Sequence, residues 1–403
     1  MVYVFVRTGS IFETFENNGI SHALEHMLFK SSNRYSTLDI IKSLTLIGGE
    51  YNAITDKDVT YYYVKTSAEH WKRTLEILFS MLFDAKIKPE EWAKEKGVVL
   101  EEILNSDGGA VDLDMLSMYH KTNAYVKSVG GTSKTLGKIT YEMLRKYYHD
   151  YYFNASNIDI VISCPKSFEK RINGFVITQT RKYIKDALPI EPPILTPPKP
   201  QVIIERIPMD KFQVTLTFQA YHVRQWKQHI TLNFLNYMLA KSGLYSILMY
   251  ELREKKGLLY GIHCHTDTYQ YLTHSYIRFS TQNPNLTMIL KSIFVLIEKI
   301  KTKGVNKNVL RFYKESYLNL LTYVMVDDGY SFFVRAMNHH YGVYDYNKDE
   351  YMKVVKDITN DDVIQCAKDV YNFEAMGVYV KGNIDAKKKK SMKKTIDSKN
   401  IYK

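Results

Sequence analysis

Residues 22–31 read HALEHMLFKS, and residues 233–242 read NFLNYMLAKS. The two stretches align without a gap and share Leu, Met, Leu, Lys and Ser in register. A second echo lies near the end of each half: ITYEMLRKYYHDYY (139–152) and ITNDDVIQCAKDVY (358–371) share an Ile-Thr start and an Asp-x-Tyr finish. A repeat of about 200 residues is a duplicated domain, since solenoid units are far shorter. The length of 403 residues agrees, being too great for one typical core.

Working outward from residue 22, strands and helices alternate. MVYVFVRTG reads as a strand, and the helix of the quoted stretch follows the turn ENNG. TLDIIKSLTLI is a helix opened by a Ser36/Thr37 cap and closed at Gly48-Gly49. EYNAIT and VTYYYVKTS read as two strands joined by DKD. Helices follow at AEHWKRTLEILFSMLFDA and, opened by Pro89, at PEEWAKEKGVVLEEILN. NIDIVIS then closes the first half. The stretch LPIEPPILTPPKP (188–200) is a stiff linker. The expected organisation is a first domain over 1–187, a linker over 188–202, a degenerate repeat over 203–385 and a basic tail over 386–403. The expected fold class is α+β, with each domain a mostly antiparallel sheet flanked by helices.

Composition narrows the function classes. Hydrophobic content of 45% with 24% charged residues is that of a globular chain. No apolar run approaches the roughly 20 residues that span a bilayer, so no membrane span is expected. The opening MVYVFV is too short for a signal-peptide core. Three scattered cysteines do not make a disulfide framework, so a reducing, cytoplasmic location is expected. Much of the net charge of +12 lies in the terminal lysine run. With no nucleic-acid-binding motif beside it, that run reads as a solvated end, and no nucleic acid is expected as partner.

The duplication isolates the chemistry. The shared Leu and Met positions are core, whereas His22, Glu25 and His26 become Asn233, Asn236 and Tyr237 in the second copy. On a helix His22 and His26 lie one turn apart on one face, with Glu25 one step round. Two imidazoles so placed can share a zinc ion, and the carboxylate beside them can take a proton from water. The order H-x-x-E-H is the reverse of the common zinc-hydrolase helix signature. Taken alone, the pair is also compatible with two ordinary, partly exposed histidines. A catalytic zinc site needs a third protein ligand. The helix over 89–105 offers Glu95 and Glu102, seven apart and on one face, with Glu101 pointing elsewhere. Gly97 between them, costly in a helix by about 1 kcal/mol, suggests close packing against the histidine helix. A competing group, His263, Cys264 and His265, sits on one strand with no further ligand pair nearby.

HALEHMLFKSS, followed by GGEYNAITDKDVTYYYV and KEKGVVLEEI, resembles the M16 metallopeptidases, the inverzincin family of pitrilysin, insulin-degrading enzyme and mitochondrial processing peptidase. The resemblance runs from about residue 3 to about 384, and the length matches the shorter, two-domain branch. It implies that His22, His26 and Glu102 hold one Zn²⁺ per chain, with Glu25 as base and Glu95 as an acidic partner or proton relay. It implies that Asn52 and Ala53, on an edge strand, pair with the backbone of a peptide substrate. It also implies that Arg253 and Tyr260, in LREKKGLLYG, reach from the second domain to hold substrate and stabilise the oxyanion. The whole would be a clamshell acting on unfolded peptides or flexible segments, as a homodimer or with a partner subunit. The alternative is a catalytically silent scaffold or regulatory subunit, but such relatives usually lose the histidine motif or its Glu. Relatives usually carry an edge strand ahead of the one beginning here at Met1, so the expectation is a first sheet a strand short, a misassigned start, or a partner covering the edge.

Overall fold

The computed structural model describes residues 1–105, 112–181, 183, 190–282, 285–324, 328–385, 389–390, 392–393 and 396. Most of the expected basic tail, 386–403, and residues 188–189 of the expected linker lie outside the described residues. The chain divides into two compact units, Met1–Asp112 with Lys121–Thr196, and Leu113–His120 with Pro197–Lys403.

The first unit contains β1 (Val2–Val6), α1 (Ile20–Leu28), β2 (Ser31–Ser32), α2 (Thr37–Leu46), β3 (Glu50–Thr55) and β4 (Thr60–Lys65). These are followed by α3 (Trp71–Phe83), β5 (Ala85–Lys86) and α4 (Pro89–Asn105). After the segment 113–120 come α6 (Ser133–Lys138), α7 (Tyr141–Tyr152), β6 (Ile158–Ile162) and α8 (Lys166–Thr180); α5 (Leu113–Met118) belongs to the second unit. The sheet runs β3-β4-β1-β6, antiparallel throughout. Strand alternation explains its two faces. Val2, Val4 and Val6 enter the core with α1 and α3, while Tyr3, Phe5, Tyr61 and Tyr63 form a ladder of rings on the other face. The Ser36 cap is realised as a capping box with Asp39.

The second unit contains α5, β7 (Val202–Arg206), β8 (Phe212–Gln219), α9 (Trp226–Asn236), α10 (Ile247–Met249), β9 (Ile262–Thr268) and β10 (Thr273–Thr281). Five helices follow: α11 (Leu286–Lys303), α12 (Lys307–Val324), α13 (Asp328–His340), α14 (Lys348–Asp357) and α15 (Asn360–Val370); β11 (Gly377–Gly382) is last. Its sheet runs β7-β11-β8-β10-β9, with β7 and β11 parallel and the rest antiparallel. The first sheet therefore matches four of these five strands. β6 holds the place of β11, and no described strand stands beyond it as β7 does in the second sheet.

Nothing in the local pattern of α5 announces that it leaves the first half to pack on the second sheet. Ser117 accepts from Gln201 N at 2.8 Å and Met118 accepts from Lys199 N at 2.8 Å. The approach is so close that a Cβ on Gly377 of β11 would lie 2.5 Å from Ser117 Oγ. Among the described residues no helix is long and apolar enough to cross a membrane.

Candidate metal centre

Helix α1 turns one face inward and one toward a cavity. Ile20, Ala23, Leu24, Met27 and Leu28 are buried at the i, i+3, i+4, i+7 spacing of an amphipathic helix. Full burial of each large apolar side chain contributes about 1.5–3 kcal/mol, so the core anchors the helix and fixes where His22, Glu25 and His26 point. The helix begins at Gly19, whose φ of 97° needs glycine and where a Cβ would lie 2.5 Å from the Gly130 carbonyl oxygen. No side chain caps it from the N-cap position. Glu13 does so from outside: its buried carboxylate accepts from Gly19 N (2.7 Å), Ser21 N (2.9 Å) and Asn18 Nδ2 (2.7 Å).

The metal-ligating types converge. Among the described residues one group of His, Cys, Asp and Glu could hold a metal ion, His22, His26 and Glu102, whose donor atoms lie within 4.8 Å of one another. Glu102 Oε1 is 3.6 Å from His22 Nε2, and Oε2 is 3.3 Å from His26 Nε2. Ligands about 2.0–2.2 Å from a tetrahedral zinc ion stand about 3.3–3.6 Å apart, and both spacings from Glu102 to the imidazoles fall in that range. Burial and the neighbouring His26 lower the pKa of His22 to about 4, leaving at neutral pH the uncharged imidazole that a metal requires. His263 and His265 stay exposed on β9, and among the described residues no such group forms around them.

Glu95 stands behind His26. The His26 Nδ1 faces Glu95 Oε1 at 3.0 Å, and a carboxylate can only accept, so Nδ1 carries the proton and Nε2 is left to the cluster. Lys30 Nζ closes on Glu95 Oε2 at 2.6 Å. Burial pushes the Glu95 carboxyl up, but the bonds from Lys30 and His26 outweigh it and hold the carboxyl below its ordinary range. Gly97 requires a correction. It is exposed and a Cβ there would meet nothing within 4 Å, so no close helix packing demands it.

Glu25 lies in the same cavity, about 540 Å³ in volume, with His22, His26, Glu102 and the strand residues Asn52, Ala53, Ile54 and Thr55. Burial raises its pKa, partly offset by Thr55 Oγ1, which donates to Glu25 Oε2 at 2.6 Å. β3 is an edge strand. Ala53 N donates to the Asn52 side chain at 2.9 Å, so this N–H faces the open edge and its own neighbour satisfies it there. Arg253 and Tyr260 are brought together in the second unit: Arg253 Nη1 donates to the Tyr260 carbonyl at 3.1 Å, and its guanidinium lies 4.9 Å from the ring centroid. Tyr260 is 76% exposed, which leaves its hydroxyl accessible.

Sequence reasoning missed Lys30, Thr55 and Glu13. Lys30 lies one helical turn beyond His26 and could have been found as the cation for Glu95. Thr55 could have been found from strand alternation with Ala53. Glu13 carried no local signal beyond the missing cap at Gly19.

Residues 1–131 match the insulinase family, peptidase family M16, and residues 138–317 match the peptidase M16 inactive domain. An uncharacterized zinc protease of Bacillus subtilis, YmxG, is 31% identical over 320 residues, covering 77% of this chain and 76% of its own length. An uncharacterized zinc protease of Rickettsia felis is 26% identical over 378 residues, 92% and 89% of the two chains. The crystal structure of a peptidase M16 inactive domain from Pseudomonas fluorescens superposes with a TM-score of 0.82 at 18% identity, covering 96% and 93%, a likeness of fold alone.

Proposed function

We propose that this chain, which belongs to peptidase family M16, is a zinc-dependent metalloendopeptidase that cuts unfolded peptides or flexible segments. One observation carries the reading: two imidazoles and a carboxylate converge within 4.8 Å, in the cavity that also holds Glu25 and the free edge of β3. One Zn²⁺ per chain, held by His22, His26 and Glu102, would supply Lewis acidity toward the scissile carbonyl and the attacking water.

The chain's own residues supply the rest. Glu25, half-buried and of raised pKa, takes the proton of the attacking water and returns it to the departing amine. Thr55 holds the carboxylate of Glu25 in place. Glu95 and Lys30 fix the tautomer and orientation of His26. An extended peptide adds to the edge of β3, and one of its carbonyls takes over the Ala53 N–H from Asn52. This mode reads main chain, which suits substrates without folded structure. Arg253 and Tyr260 act from the second unit, one holding the peptide backbone and the other donating to the developing oxyanion. The working assembly is a homodimer or a complex with a partner subunit.

The test is hydrolysis of an unstructured, quenched fluorescent peptide beside a Glu25→Gln variant, with bound zinc measured in both. The expected result is cleavage by the parent, a rate about 10²–10⁴-fold lower in the variant, equal zinc content and loss of activity on chelation. Cleavage that survives at the parental rate in Glu25→Gln would remove Glu25 from the mechanism. A folded, zinc-loaded parent that cuts none of a varied peptide set would overturn the peptidase reading.

A further inference from the structure

Helix α4 carries Glu91, Glu95 and Glu102 on one face, and each meets a side chain in the segment from His22 to Ser31. Glu102 stands opposite His22 and His26, Glu95 takes His26 and Lys30, and Glu91 takes Ser31. The order runs in opposite directions along the two stretches, so the helices lie antiparallel and the contacts form rungs between them. The outermost rung includes no metal-ligating side chain. There Ser31 Oγ donates to the Glu91 carboxylate, 2.9 Å from one oxygen and 3.0 Å from the other. A hydroxyl has one proton, and the Lys86 carbonyl at 3.4 Å competes poorly with this charge-assisted bond. Lys88 Nζ approaches the same carboxylate at 3.4 Å.

Ser31 is anchored in turn. It is buried and lies in β2, whose pairing with β5 sets Ser31 against Lys86 and Ser32 against Ala85. Ser32 Oγ accepts from Ser80 Oγ of α3 at 2.8 Å. β5 is followed by the buried Ile87, and Pro89 then opens α4. The stretch that leaves α1 is thus tied to the stretch that enters α4. The helices otherwise meet through the core that holds Met27, Leu28, Trp92, Val99 and Ile103, and apolar packing has no direction. One residue of slip along a helix is about 1.5 Å, whereas a metal site holds its ligand distances to about 0.2 Å. The Glu102 side chain is 55% exposed, so its place depends on where α4 stands.

We infer that Ser31 and Glu91 are positioning residues of the metal centre, their bond fixing the axial register of α4 against α1 so that Glu102 stands opposite the two imidazoles before an ion arrives. Neither belongs to the metal-ligating group. Without the Ser31 hydroxyl, α4 settles where the apolar seam allows, and the three donors form a poorer cage. The inference rests on the reading of His22, His26 and Glu102 as a zinc site.

The experiment measures metal binding by the full chain and makes no use of activity. Zinc affinity is taken by competition with a chromogenic chelator, and site geometry from the visible bands of the cobalt-loaded protein. Ser31→Ala should weaken zinc about 3–10-fold and alter the cobalt bands, a smaller loss than the roughly 10–100-fold that follows removal of a ligand's own partner. Ser31→Thr and Glu91→Gln, which keep a donor and an acceptor, should stay within about twofold of the parent. In a Glu91→Ala background Ser31→Ala should add nothing further, as two residues acting through one bond require. Glu91→Ala carries the test if Ser31→Ala does not fold. A lowered melting temperature with parental zinc affinity and cobalt bands, or additive losses in the double variant, would overturn the inference and leave the zinc site standing. A parent that binds no stoichiometric zinc would overturn the zinc reading and the inference with it.

Discussion

Helices α1 and α9 began as copies, and the same three positions now do opposite things. On α1, His22, Glu25 and His26 converge on Glu102 with donor atoms left over: His22 Nδ1 is buried and has no partner among the described residues. On α9 the counterparts are spent. Asn236, wholly buried, donates to Thr266 and Ser275 and accepts from Tyr371, while the Tyr237 hydroxyl bonds Ser316 at 2.6 Å. The helix continues as a π-turn over Tyr237–Lys241, where α1 simply ends at Leu28. Lys30 braces Glu95, whereas Lys241 turns to His265 at 3.2 Å. A reactive site and an inert one differ here less in backbone than in whether the polar atoms have already found each other.

The comparison is broken most severely at the ligands. His26→Ala should abolish stoichiometric zinc and activity, whereas Tyr237→Ala should leave the zinc content measured by atomic absorption unchanged. Zinc lost equally from both variants would show that the two helices are not independent. Asn236→Ala strips three partners at once and should lower stability by about 2–3 kcal/mol in urea unfolding, with activity per folded molecule retained. Glu95→Gln should weaken zinc binding about 10–100-fold in competition with a chelator, since His26 loses its charged partner.

A fourth test concerns the ionisable groups at the start of α1: Glu13, with Lys127 on its carbonyl, and Lys57 bonded to the Lys127 carbonyl at 2.7 Å. Burial, and then the positive Lys57, lower the pKa of Lys127 from 10.5 to about 8, against the attraction of Glu13. The folded chain then sheds a proton that the unfolded chain keeps up to about pH 10.4. Its stability gains a contribution that grows as pH rises from 8 to 10, and Lys127→Met should remove that rise from the melting temperature. Identical slopes in both proteins would mean that Lys127 titrates normally. The smallest effect is at Gly97, where Ala should stabilise by about 0.5–1 kcal/mol because nothing opposes the added methyl.

What could be read from sequence follows from how locally each feature is determined. Helices with apolar stripes or clear start signals, such as α1, α2 and α4, declare themselves within a dozen residues or so. His22, Glu25 and His26 share one such helix, and Glu95 and Glu102 share another, so two short stretches supplied the candidates, and the family resemblance chose Glu102 among them. Thr55 and Lys30 act through partners that are distant in sequence, and Glu13 caps α1 across a turn, so no periodicity reports any of these contacts. Gly97 was misread because a glycine in a helix has two causes, close packing or mere tolerance at an exposed position, and only the surroundings separate them. The fate of residues 113–120 was illegible for the same reason, since an amphipathic helix does not name the sheet it will cover.

That last segment limits how far the two halves are modules. The polypeptide passes between the units at 112/113, 120/121 and 196/197, so neither is a continuous piece of chain. A protein cut at residue 196 would carry α5 without the β7–β11–β8 surface that buries Met115 and Met118, and the remainder would have that surface bare. Gene duplication supplied two copies, but this eight-residue exchange has since tied their inheritance together: the halves can diverge in chemistry, as α1 and α9 have, and cannot part company.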